Sequence, residues 1–159
     1  MNKLPYHKRP KSLKTQSEFM QKEWPDFRLK MLSTEIVSWV GDIQPQNARY
    51  TIEVIWNHTT KKLPYVLLLN PKLKPRNEGK YDEIPHLIFN SADPVNSALC
   101  LFDPAKAQWT SAMIIANTTI PWASKWLQFY EFWLYCGDWK GGGVGYESVA
   151  AARSQSVLE

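Results

Sequence analysis

The sequence predicts an α+β fold with an N-terminal helix, a four-stranded antiparallel meander, a long irregular segment and a C-terminal helix. Two changes of hydrophobic period support this order. Apolar residues recur at helical spacing before Pro25 and after Pro121, but alternate with polar residues between Phe27 and Leu69. The loss of a regular period over residues 72–109 also supports this order, because four prolines interrupt that segment. So long an irregular stretch in a compact domain is uncommon and usually functional.

The length and composition favour a single globular domain. The chain has 159 residues, of which 44% are hydrophobic, and it carries eight tryptophans. A chain of this size buries about 68–70% of the surface that its unfolded form exposes, so it can build a core without disulfides. We divide it into a basic N-terminal tail, 1–15, and one domain, 16–159.

The first element is a short helix over residues 16–24. Phe19, Met20 and Glu23 recur at helical spacing, and Ser17 is a candidate N-cap. Pro25 ends the helix, because a proline inside a helix lacks the backbone donor and clashes with the preceding turn.

Four strands follow at short spacing, over residues 27–31, 35–43, 49–56 and 64–69. The third is the clearest, since apolar and polar residues alternate strictly from Tyr50 to Trp56. The fourth is almost continuously apolar, which predicts a strand that is buried on both faces or central in the sheet.

The last third of the chain is helical. Its aromatic residues repeat at three and four positions, which predicts a stripe packed on the core rather than a cofactor site. The stripe comprises Trp122, Trp126, Phe129, Tyr130 and Trp133. Gly137 is placed to cap the helix. The run Gly-Gly-Gly-Val-Gly at 141–145 predicts a flexible turn, not a phosphate loop, because no Gly-Lys-Ser/Thr follows.

Composition also narrows the classes of function. The net charge is +4, and residues 1–14 hold five basic side chains and no acidic one, so this segment is either a solvated tail or a nucleic-acid-binding arm. The basic start precedes no apolar run, which argues against a signal peptide, and the longest apolar tract, 122–135, contains charged residues. We expect a cytoplasmic protein that does not enter a membrane.

Two cysteines are the main candidates for chemistry, and Cys100 is the stronger. It lies in the irregular segment, as does His86, fourteen residues earlier. A catalytic cysteine needs exposure and a neighbour that favours the thiolate, which a histidine can provide. A buried structural thiol is the commoner fate of a cysteine between leucines, so both interpretations stay open. Cys136, at the end of the aromatic helix, is the weaker candidate.

Several short motifs occur in an order that resembles one family. They are Trp-Val-Gly-Asp-Ile-Gln-Pro at 39–45, Pro-His at 85–86, Leu-Cys-Leu-Phe-Asp-Pro at 99–104, Pro-Trp at 121–122, Tyr-Glu-Phe-Trp-Leu at 130–134, Gly-Asp-Trp at 137–139 and Gly-Gly-Gly at 141–143. Together with the order of elements, they resemble ubiquitin-conjugating (E2) enzymes. The closer resemblance is to the E2-like proteins of bacterial short type II CBASS anti-phage systems.

This resemblance implies a ubiquitin-conjugating-enzyme-like α+β fold in which the irregular segment is the active-site loop. It implies that Cys100 is the catalytic residue that carries an acyl group as a thioester, and that His86 orients or deprotonates a reacting group. Backbone N–H groups near Cys100 would form the oxyanion hole. The His-Pro-Asn motif of the eukaryotic enzymes is missing, so no side-chain amide is assigned to this role, and Tyr146 stands where the family pattern has a histidine.

The resemblance also implies partners. The acyl donor would be the C-terminus of a cGAS-like nucleotidyltransferase, the acceptor would be a protein lysine or a small amine, and no cofactor is needed. Two other hypotheses remain. The chain is an inactive adaptor that binds the nucleotidyltransferase and uses Cys100 for packing, or it binds nucleic acid through its basic tail, which we regard as the weakest of the three.

Overall fold

The computed structural model describes residues 3–102 and 106–140 and has the predicted α+β architecture. Two helices and two antiparallel sheets make up its regular elements. In chain order they are α1 (Leu13–Glu23), β1 (Arg28–Met31), β2 (Ile36–Ile43), β3 (Tyr50–Asn57), β4 (Tyr65–Asn70), β5 (Leu87–Ile88), β6 (Ala98–Leu99) and α2 (Thr119–Cys136). No helix among these residues is both long and apolar enough to span a membrane.

Helix α1 begins three residues earlier than the sequence predicted. Its N-cap is Ser12, whose hydroxyl accepts a hydrogen bond from the Thr15 N–H at 3.1 Å. The predicted cap, Ser17, is therefore wrong: it lies inside the helix, and its buried hydroxyl has no hydrogen-bond partner in the described structure. The predicted end before Pro25 is confirmed. Lys11, in the predicted tail, is buried and donates its N–H to the Ser111 carbonyl at 2.7 Å.

The four-stranded antiparallel meander is confirmed, with the order β1-β2-β3-β4. Trp39 pairs with Val54, and Val54 pairs with Val66, so these three buried side chains cross the core face of the sheet. Leu29 and Met31, on the edge strand β1, belong to the same face but are exposed.

The prediction that the fourth strand is buried on both faces or central in the sheet is wrong. Strand β4 is the other edge of the sheet, and its faces are not equally buried. Val66 and Leu68 lie in the core, whereas Leu67 and Leu69 are half-buried and Tyr65 is exposed. The continuous apolar run therefore reflects two different environments: the core on one face, and an open groove on the other.

Helix α2 packs its aromatic stripe on the core, as predicted. Trp126, Tyr130 and Trp133 are buried, and Gly137 ends the helix in the left-handed conformation, with φ +85°. Its N–H donates to the Trp133 carbonyl at 2.8 Å. Glycine suits this position because it has no Cβ to clash in that conformation.

The irregular segment is more ordered than its sequence suggested. Strands β5 and β6 pair within it as a small antiparallel sheet, with Leu87 opposite Leu99 and Ile88 opposite Ala98. Because β6 runs directly into Cys100, this pairing determines where the cysteine lies.

Candidate active site

Strands β5 and β6 bring the two predicted site residues together. The N–H of Cys100 donates to the carbonyl of His86 at 2.9 Å, which continues the ladder one step beyond the Leu87–Leu99 pair. The two residues are fourteen apart in sequence and adjacent in space. His86 and Cys100 are therefore joined through their backbones.

A second hydrogen bond ties the same carbonyl to the core. The indole N–H of Trp126, from α2, donates to the His86 oxygen at 2.8 Å. One carbonyl thus accepts two donors, one from Cys100 and one from the most deeply buried part of the helix. A fully buried tryptophan usually places its N–H on a partner, and here that partner is the backbone of the site.

His86 has an unusual backbone conformation. Its φ of +52° lies in the left-handed region, which costs a residue other than glycine on the order of 1–3 kcal/mol. Its half-buried imidazole packs against the ring of Trp139, with centroids 5.2 Å apart. Trp139 in turn lies 5.2 Å from the Trp126 ring, edge to face. Backbone and aromatic contacts together fix the direction of the imidazole.

Cys100 is buried, with 2% of its surface exposed. Its Sγ lies 3.7 Å from the carbonyl oxygen of Phe102, at the distance of a weak S–H hydrogen bond. The preceding and following residues, Leu99 and Leu101, belong to the core cluster. A reagent reaches this thiol only after the groups that cover it move.

The oxyanion hole expected from backbone amides cannot use the amide of Cys100, because that N–H already bonds the His86 carbonyl. Two nearby asparagines are also engaged within their own loop. The Asn90 side-chain oxygen accepts from the Ala92 N–H at 3.1 Å, and the Asn96 amide donates to the Asp93 carboxylate at 2.7 Å. The Asn96 amide is therefore already bonded within the loop, and the Asn90 side-chain oxygen helps to fold the same loop.

Two residues of this arrangement had no predicted role in the site. Trp126 was assigned to the core because of its helical spacing, and Trp139 was noted only as part of a motif. Trp139 has a buried indole N–H with no hydrogen-bond partner among the described residues. Buried donors are normally satisfied, so this one marks an unusual position. In the sequence, Trp139 differed from the aromatic stripe of α2 only in its position, two residues beyond the Gly137 cap.

Other expectations lie beyond the described part of the chain. Asp103 and Pro104, the glycine-rich run at 141–145, and Tyr146 are among the residues outside it. Trp109, nine residues after Cys100, lies within the described residues and is buried, and its indole N–H donates to the Thr118 hydroxyl at 3.2 Å.

The order of elements agrees with a comparison against protein families. A model of the type II CBASS E2 protein family matches residues 16–146. The chain belongs to this family. Membership confirms the resemblance found in the sequence and supports an E2-like role in a CBASS system, together with interaction with other CBASS components. No curated protein sequence matches the chain.

Proposed function

We propose that this E2 protein is a transferase that forms a thioester at Cys100. It would take the C-terminal acyl group of a cGAS-like nucleotidyltransferase and pass it to an amine, giving an amide. The observation that supports this most directly is the paired backbone of Cys100 and His86, held by Trp126 in a chain of this family.

The proposed chemistry has two acyl transfers. The Cys100 thiolate attacks the carbonyl carbon of an activated donor C-terminus, a sulfur–carbon bond forms, and the activating group leaves with the bonding electrons. An acceptor amine then attacks the thioester, loses a proton, and releases the thiol. The imidazole of His86 would hold or accept that proton, and an amide other than that of Cys100 would stabilise the oxyanion.

The burial of Cys100 sets a condition on this mechanism. With 2% of its surface exposed, the thiol cannot meet a carbonyl carbon in the arrangement described here. We infer that docking of the donor exposes Cys100, so that the reactive thiol is covered when no donor is present. Because the thiol is exposed only after the donor docks, it is protected from other electrophiles.

The decisive experiment combines the protein with the nucleotidyltransferase of its own operon, whose C-terminus is supplied as an activated small-molecule thioester so that the first acyl transfer has its leaving group. Non-reducing gels and intact mass would compare the wild type with Cys100→Ala and with Cys136→Ala. Cys136 is the matched control, because it is the other free cysteine and is exposed. We expect a thiol-sensitive covalent adduct in the wild type and in Cys136→Ala, and none in Cys100→Ala.

An adaptor without catalysis is the second candidate, and the same burial favours it. A thiol enclosed by core residues is the environment of a packing cysteine. In that case the nucleotidyltransferase binds equally tightly to the wild type and Cys100→Ser, and no covalent species forms with either. A Cys100→Ser protein that retains full anti-phage function in cells would establish the adaptor.

A further inference from the structure

The outer face of the sheet forms one side of a large open groove. It has a volume of about 960 Å³. The floor consists of outward-facing residues of β3 and β4, the far wall is the segment after β5, and one end reaches the residues on either side of Cys100. The residues of these three parts include Ile55, Tyr65 and Leu67 of the floor, Phe89 and Asp93 of the wall, and Leu101 of the end.

Exposed apolar side chains concentrate along this groove. Leu63, Tyr65, Ile88 and Phe89 all line it, and all are large hydrophobic residues exposed to solvent. Contiguous exposed apolar surface on a folded protein usually marks a site of interaction. The continuous apolar sequence of β4 is explained by this surface together with the core.

A carboxylate stands in the apolar floor. Glu53 points outward from β3, and its neighbours across the sheet are Val40 on one side and Leu67 on the other. It forms no ion pair with any described residue. A partly buried charge between aliphatic side chains is unfavourable unless a partner compensates it, so this position favours a cationic ligand.

The second charged side chain that lines the groove is also negative. Asp93 lines the opposite wall, and no lysine or arginine is among the described lining residues. Lys72 bonds the side chain of the lining residue Asn96 but does not itself line the groove. The groove therefore attracts an ammonium group and repels the carboxyl terminus of an acyl donor.

We propose that this groove binds the acceptor: a partner segment in which a lysine is flanked by apolar side chains. The lysine ammonium pairs with Glu53, and the flanking side chains cover Tyr65 and Phe89. The proposal rests on the transferase function above, since it identifies the acceptor of that reaction. It explains why the floor carries a lone carboxylate and why the apolar surface extends up to the Cys100 segment.

Binding can be measured without the reaction. The probe is a blocked peptide, acetyl-Leu-Val-Lys-Leu-Phe-amide, titrated into the full-length ¹⁵N-labelled protein, and the comparison peptide has an acetylated lysine side chain. We expect the lysine peptide to shift amide resonances of β3, β4 and the segment after β5, and to bind about fivefold more tightly than its acetylated form.

Two variants and two matched controls test the contacts. Glu53→Gln should remove the preference for lysine and leave the acetylated peptide's affinity unchanged, whereas Phe89→Ser should weaken both peptides. Glu35→Gln changes an exposed carboxylate outside the groove. Phe132→Ser changes a ring on α2 that is 43% exposed, against 44% for Phe89. Both controls should bind as the wild type does.

Three results would overturn the proposal: resonance shifts confined to another surface, an equal effect of Glu53→Gln on both peptides, or self-association through the groove that Phe89→Ser abolishes. The last would assign the groove to a second copy of the chain. Repeating the titration with Cys100→Ser separates this proposal from the transferase function. If Cys100→Ser still binds the lysine peptide more tightly than the acetylated one, the groove proposal is supported even if no thioester is found.

Discussion

At the scale of single residues, the carbonyl of His86 connects the site to the core. It accepts the Cys100 N–H at 2.9 Å and the Trp126 indole N–H at 2.8 Å. Because His86 also holds a left-handed φ, these bonds oppose its relaxation to an ordinary conformation. Trp126 therefore helps to hold the backbone of His86 and, through it, the direction of the imidazole. If His86 acts as proposed, Trp126 is a positioning residue.

Replacing Trp126 by phenylalanine tests this role. The substitution removes one hydrogen bond and leaves a small void, so we expect a loss of about 1–3 kcal/mol in the free energy of unfolding. If Cys100 and His86 act as proposed, single-turnover acyl transfer should slow by about tenfold or more, because the imidazole is misplaced. The ¹³Cα shift of His86 should move as its φ relaxes.

Trp56→Phe is the control for that substitution. Trp56 is as deeply buried, and its indole N–H donates to the Lys62 carbonyl at 2.9 Å, away from the site. It should lose similar stability and keep both the transfer rate and the His86 shift. Equal rates for the two variants would show that Trp126 contributes packing alone.

There is a physical reason why the sequence indicated His86 and Cys100 as site candidates but did not indicate Trp126. His86 and Cys100 were identifiable because their chemistry is rare in the chain and both lie in one irregular segment. Trp126 was not, since hydrophobic spacing indicates which face of a helix is buried but not where an indole N–H points. The sequence left open whether Cys100 is buried or exposed, because its burial depends on contacts made by distant segments.

At the scale of elements, the C-terminus of α2 depends on Gly137 in its left-handed conformation. Gly137→Ala should cost about 1–2 kcal/mol of unfolding free energy, because a Cβ is unfavourable at positive φ. The new Cβ would also lie 2.6 Å from Nη1 of Arg76, whose Nε donates to the Leu134 carbonyl at 3.3 Å. Urea unfolding measures the loss.

Gly137→Asn separates these two causes. Asparagine tolerates the left-handed region better than alanine but introduces the same Cβ beside Arg76. A smaller loss than for alanine would assign the cost to the backbone, and an equal or larger loss would assign it to the displaced Arg76 side chain.

Elements were predicted well where one face of them is buried, and poorly at the edges of the sheet. The alternation in β3 identified a strand with a core face, and the stripe of α2 identified a buried helix. The apolar run of β4 was interpreted as a strand that is buried on both faces or central, because a hydrophobic residue that lines an open groove looks in sequence like one in the core. The pairing of β5 with β6 had no signal, since two-residue strands carry no period.

At the scale of the whole molecule, two buried tyrosines join α2 to the rest of the fold. The Tyr50 hydroxyl, from β3, donates to the Glu131 carboxylate at 2.9 Å. The Tyr130 hydroxyl accepts from the Lys74 N–H at 2.9 Å and donates to the Lys74 carbonyl at 3.2 Å. The helix is thereby bonded both to the sheet and to the start of the irregular segment.

These tyrosines make the stability of the fold sensitive to alkali. Burial, together with the hydrogen bond to Glu131, raises the pKa of Tyr50 above its ordinary value of 10.0, and burial raises the pKa of Tyr130. At a pH below this ordinary pKa, the folded and the unfolded protein both keep the tyrosine protons, so the two tyrosines contribute their full stabilisation. Above it the unfolded chain loses protons that the folded protein retains, and the free energy of unfolding falls by about 1.4 kcal/mol per pH unit for each group.

Urea unfolding between about pH 9 and pH 11 would measure this slope. Tyr50→Phe removes one of the two groups, so across this pH range its free energy of unfolding should fall by about 1.4 kcal/mol less in total than that of the wild type. Tyr135→Phe is the control, because its ring is exposed and its loss should leave the slope unchanged. Equal slopes for all three proteins would mean that the buried tyrosines ionise as readily in the folded protein as in the unfolded chain, and that alkali weakens the fold through other groups.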